Sequence, residues 1–145
     1  MTYARATQLL VTVLGTAFTV YHLYVAFAGV PEPLIFRGTH LMWMLVLAFL
    51  VYTGFAGRKD EPPGLVDWLF VAASISSISY IFYEYEYFIT RFATVDDLRP
   101  ADWVLGITLI VCILEGTRRV LGSALSITAI VFMAYCLAFT ACRRR

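Results

Sequence analysis

Two histidines, one block of mixed charge and a run of tyrosines carry whatever chemistry this sequence can do. Arg37 and His40 stand three apart at the head of an apolar run, on one face of a helix. Arg37 can hold an anionic partner or a lipid phosphate, or it can simply anchor the run at an interface. Glu115 precedes Arg118 and Arg119 by three and four residues. On a helix the three share a face, so a local salt bridge is available. The sharper reading of the same block is a docking point for another chain. His22 lies inside a second apolar run, and ionisable residues within a membrane are functional candidates by default. Against that stands a neutral imidazole bonded to a neighbouring helix, and no other residue is expected to complete a proton relay with it. Tyr80, Tyr83, Tyr85 and Tyr87 interleave with Glu84 and Glu86. This is the pattern of an aromatic belt at the end of a span, with ion binding by the glutamates as the alternative.

What is missing narrows the class. The sequence has no phosphate loop, metal-ligand cluster or nucleophile motif. Ser74, Ser76, Ser77 and Ser79 have no histidine or acid placed to activate them. Together with Ala72 and Ala73 they read as a packing face, because small residues let helices approach closely in lipid. Ala73, Ser76 and Ser77 are the expected contact positions. Cys112, Cys136 and Cys142 form no CxxC pair and read as small hydrophobes rather than a disulfide or ligands. No catalytic, substrate-binding or metal-binding residue is expected, and no cofactor. A complete transporter is not expected either, since the broken apolar helices and paired repeats that build a midplane site are missing.

The elements that must hold these residues follow from composition. The chain has 145 residues, 61% hydrophobic and 14% charged, with a mean hydropathy of +0.78. Soluble domains run near half apolar and a quarter charged. A small globular domain cannot hide so much apolar surface, whereas lipid accepts it. The net charge of +1 leaves no basic patch suited to nucleic acid.

A bilayer is crossed by about twenty apolar residues. The pattern predicts an all-α membrane protein, one domain over 1–145, with about five spans near 9–30, 35–56, 66–88, 103–119 and 120–139. The first is read as a retained span, because it is longer than the apolar core of a signal peptide. Pro31 and Pro33 separate the first two, since proline cannot continue the helix ladder. Residues 57–64 and 90–100 are polar loops. Asp67-Trp68 and Asp102-Trp103 open the third and fourth spans, each an aspartate cap followed by an interfacial indole. A tight hairpin around residues 120–123 is preferred over one long helix, because Glu115, Arg118 and Arg119 would otherwise sit in hydrocarbon at roughly 2.5–3.5 kcal/mol each.

The distribution of cations suggests a cytoplasmic N-terminus. Arg5, Arg58, Lys59, Arg118 and Arg119 then lie inside and Arg37, Arg91 and Arg99 outside. Five spans put Arg143, Arg144 and Arg145 outside, against the rule.

The order of these motifs resembles a known family. Arg37-x-x-His40 opens one span and Asp67-Trp68 the next. Leu105-Gly106-Ile107 then leads to Leu114-Glu115-Gly116-Thr117-Arg118-Arg119-Val120-Leu121-Gly122. This resembles the small-subunit region of TRAP transporter permeases, above all the TAXI-type branch, in which a small membrane part is fused ahead of a large one. The resemblance runs over about residues 9–139, and the stretch from Leu114 to Gly122 is its most specific piece. It implies a four-helix small-subunit bundle plus a C-terminal helix, in a bacterial or archaeal cytoplasmic membrane. It implies a scaffold for a large twelve-helix permease that takes up carboxylates on a sodium gradient from an extracytoplasmic solute-binding protein. Sodium and substrate sites belong to the large part. Arg37, His40, Glu115, Arg118 and Arg119 match family positions and are the expected interface residues, toward the permease or lipid. The departure at residues 141–145 suggests a truncated or frame-shifted fused permease, with a separate small subunit as the alternative. A free-standing membrane scaffold, or a small carrier using His22, Glu84 and Glu86, are the rival functions.

Overall fold

The structure, a computed structural model, describes residues 3–54, 62–92 and 96–143. The described residues form six helices: α1 (Tyr3–Ala28), α2 (Pro33–Val51), α3 (Leu65–Tyr83), α4 (Tyr85–Thr90), α5 (Pro100–Leu121) and α6 (Ser123–Arg143). Three stretches are long and apolar enough to cross a membrane, Arg5–Ala28, Pro33–Val51 and Leu65–Tyr83, and α6 carries a shorter apolar stretch, Ser123–Phe139. The all-α expectation therefore holds, and three spans are supported by length and composition. In α1, Thr12, Thr16 and Thr19 each donate to the carbonyl four residues back, at 2.8–2.9 Å. Such back-bonding lets a threonine sit in an apolar helix without an unmet polar group.

Boundaries differ from the sequence pattern in two places. The second helix ends at Val51 rather than 56, and residues 55–61, with most of the first polar loop, lie outside the described residues. The third expected span is split at Glu84, whose backbone (φ −94°, ψ 30°) leaves helical geometry. At the break Glu84 pairs with Arg99 at 3.0 Å, and Tyr87 donates to Asp102 on α5. In the second loop, residues 93–95 lie outside the described residues.

α2, α3 and α5 pack on one another as a three-helix centre, while among the described helices α1 packs on α2 and α6 on α5. Leu45, Phe49, Leu50, Val71, Ile78 and Cys112 form the buried core. Phe49 stacks on Phe70, centroids 5.0 Å apart. At the other end of the same antiparallel pair, Gly38 lets α2 close on α3: a Cβ there would stand 2.7 Å from a ring carbon of Phe82. Ser74 and Ser77 are buried on the α3 packing face, with Ala73 beside the core. Ser76, expected on that face, is exposed and bonds back to Ala73 O at 3.0 Å, because it lies between the rows that the helix turns inward.

α5 and α6 are separate helices joined through Gly122, at φ +88°. Left-handed backbone of this kind is open to glycine at little cost. Ser126 Oγ donates to Leu114 O at 3.0 Å, so α6 turns back along α5, as the hairpin reading expects. Residues 130–139 of α6 are all exposed.

Candidate functional site

Three polar constellations tie the helices together. The first sits where α5 ends. Arg119 Nη1 donates to Asp67 Oδ1 at 2.5 Å and to Tyr52 O at 3.2 Å, while its Nε donates to Glu115 Oε1 at 2.7 Å. Its guanidinium carbon also lies 5.1 and 5.3 Å from the ring centroids of Phe49 and Phe70, a range in which ring quadrupoles attract cations. Arg118 grips Glu115 with Nε and Nη2, both at 2.8 Å. Two cations and two carboxylates thus balance. Neutrality within the cluster matters, because an isolated buried charge would cost several kcal/mol. Arg119 Nη2 is buried without a hydrogen-bond partner among the described residues.

Asp67 is more than the cap its position suggests. It stands at the third residue of α3 and accepts the Gly64 amide at 2.8 Å, which restrains the helix start. It also accepts the Gly54 amide at 3.2 Å, so one carboxylate joins the end of α2, the start of α3 and the end of α5.

The second constellation lies at the opposite end of the α3–α5 pair. Asp102 accepts Tyr80 Oη at 2.8 Å, Tyr87 Oη at 2.7 Å and the Arg99 amide at 3.0 Å. Arg99 stacks over the Tyr87 ring at 4.1 Å while pairing with Glu84. Outside the helical spans, burial and the adjacent Glu32 carboxylate raise the Tyr85 phenol above its ordinary value. Below this cluster, Ser77, Tyr80, Asp102 and Gly106 line a cavity of about 130 Å³, and the buried Ser77 hydroxyl has no partner among the described residues.

The third joins α1 to α2. His22 Nε2 and His40 Nδ1 are 2.9 Å apart. His22 Nδ1 bonds Phe18 O at 2.9 Å, and since a carbonyl only accepts, that nitrogen carries hydrogen. The sequence reading left His22 without a relay partner, and α2 brings a second imidazole, His40, to it. The helix-bridging reading of His22 matches the observed bond.

The expected interface residues are scattered. Arg37 is exposed at the head of α2. His40 bonds His22. Glu115 and Arg119 are spent inside the chain, the Arg119 side chain being 0% exposed, whereas the Arg118 side chain keeps 34% of its surface. Among the described residues no group of three or more metal-ligating side chains converges. The sequence reading missed Asp67 and Asp102 as junctions between helices. Both stand where a cap is expected, and nothing in a linear pattern pairs Asp67 with a residue 52 positions away. The histidine pair did leave a signal: both lie nine residues from Pro31, so a hairpin folded there sets them at equal depth.

No protein-family model, no curated protein and no solved structure matches the chain.

Proposed function

We propose that the chain is a non-enzymatic membrane subunit, the small component of a TRAP-type transporter, bracing a large permease that takes up carboxylates on a sodium gradient from an extracytoplasmic binding protein. The observation that supports the scaffold reading is the contrast between its centre and its flanks. α2, α3 and α5 are locked by ion pairs and aromatic packing. Among the described helices α1 and α6 each rest on one neighbour, and they present Phe27 at 87%, Phe132 at 66% and Leu137 at 72% exposure. In lipid, apolar surface alone gives helices little reason to associate, so these two are free to pack against a partner's helices. The family assignment itself rests on the motif order from Arg37 to Gly122.

On this reading α5 and α6 also cross the membrane, giving five spans and a cytoplasmic N-terminus. From Asp67 to Tyr80, α3 rises about 20 Å. In a hydrocarbon slab about 30 Å thick, the two charge clusters then sit just inside its margins, where arginine and tyrosine reach outward.

The test is co-purification of the tagged full chain with a co-expressed large TRAP permease, and sodium-driven carboxylate uptake by the pair. Arg118→Ala is the informative variant, because it removes the partly exposed cation without opening the core. Association and uptake are expected to fall in protein that remains folded, with only the modest stability loss of a partly exposed ion pair. A chain that is monodisperse and stable alone, and that binds no permease, is instead a free-standing scaffold. The His22–His40 contact favours one second reading, a small proton-linked carrier. It predicts proton flux from the purified chain in liposomes that His22→Ala abolishes.

A further inference from the structure

We propose that His22 and His40 form one proton-binding site shared between α1 and α2, a latch that holds with zero or one added proton and opens with two. The argument is one of counting hydrogens. His22 Nδ1 donates to Phe18 O, so in neutral His22 the Nε2 atom can only accept. His40 Nδ1, 2.9 Å away, must then be the donor. One added proton makes the bond imidazolium to imidazole, N–H⁺···N, whichever ring formally holds the charge. Charge assistance strengthens it by roughly twofold over a neutral bond. A second proton puts hydrogen on both facing nitrogens. The bond is then lost and two cations face each other at contact distance.

The setting suits this role. Among the described residues α1 packs on α2, and this bond is one polar attachment between them. Phe18 lies 4.2 Å from His22 and 5.5 Å from His40, and Phe36 lies 5.7 Å from His22, between ring centroids. These rings flank the pair, in which His22 is half-buried and His40 exposed. The titratable neighbours are few. On α1, Tyr21 lies edge-on to His22 at 5.3 Å. On α2, Arg37 is one turn before His40 and Glu32 caps the helix start. On α3 and α5, which also pack on α2, Asp67, Asp102, Glu115 and Arg119 are engaged in the two end clusters. No carboxylate is bonded to either imidazole among the described residues, so the second proton has no anion to offset it. The latch requires neither an ion flux nor a partner chain.

The experiment is ¹⁵N-histidine NMR of the full chain in lipid nanodiscs across a pH titration, with distances between spin labels on exposed faces of α1 and α2 measured in parallel. Wild type should show a nitrogen–nitrogen coupling between the two rings at neutral pH. The coupling should vanish in acid as the label distance lengthens. Protons should enter in two separated steps, as coupled sites require, whereas His22→Ala and His40→Ala should each titrate in one step with no acid-driven separation of α1. Absence of the coupling at every pH in wild type, or independent titration of the two rings, overturns the proposal. The wild-type coupling decides the matter even if both variants fail to fold.

Discussion

Arg119 and Asp67, 52 residues apart, meet through a 2.5 Å charge-assisted hydrogen bond with side chains 0% and 2% exposed. The bond closes α5 onto the turn between α2 and α3, and Glu115 and Arg118 keep the group neutral. Removing one member leaves the other buried and unpaired. Arg119→Ala and Asp67→Ala are each expected to cost about 3–5 kcal/mol, read as loss of thermal stability in detergent. Arg119→Lys should rescue little, because an ammonium cannot serve Asp67, Glu115 and the Tyr52 carbonyl as a planar fork does. An Arg119→Ala chain as stable as wild type would remove the clamp from the account of the fold.

Asp102 gathers two tyrosine hydroxyls at the far end of the same helix pair. Tyr80→Phe and Tyr87→Phe each delete one bond to a charged acceptor, worth about 1.5–3 kcal/mol. Their combination is expected to cost other than the sum, since both act on one carboxylate. A double-mutant cycle in chemical unfolding measures this, and strict additivity would argue that the two hydroxyls are independent.

Gly38 and Gly122 should respond for different reasons. Gly38→Ala drives a methyl into Phe82 and is expected to cost about 1–3 kcal/mol by overpacking. Gly122→Ala forces a side chain into left-handed backbone, at about 1–2 kcal/mol, and should loosen the α5–α6 turn without disturbing the centre. Cysteine cross-linking between α5 and α6 separates the two effects: only Gly122→Ala should lower it.

Tyr85 predicts an alkaline limit. Its folded-state value is raised above that of an ordinary tyrosine phenol, by burial first and then by Glu32. A raised value means that the neutral phenol is favoured by folding. The stabilisation is therefore complete below about pH 10 and is lost as pH climbs through the folded-state value. Tyr85→Phe should remove this component, seen as a flatter alkaline limb in thermal stability against pH.

The sequence by itself determined that the chain is helical and apolar, that its helices divide near Pro31 and near residues 120–123, and that Glu115, Arg118 and Arg119 share a face. Each of these depends on residues within a turn or two of one another, through periodicity, proline and glycine breaks, or composition. The sequence also held the equal spacing of His22 and His40 about Pro31, though only the folded hairpin shows that their nitrogens meet. The tertiary structure alone decided the partners of Asp67 and Asp102, the split at Glu84 and the outward turn of Ser76. Apolar helices carry little periodic signal to say which side faces which neighbour, so a carboxylate that caps its own helix looks the same in sequence whether or not an arginine from another helix also reaches it. That choice was made by the packing of α2, α3 and α5, which closed around the charges that could neutralise one another.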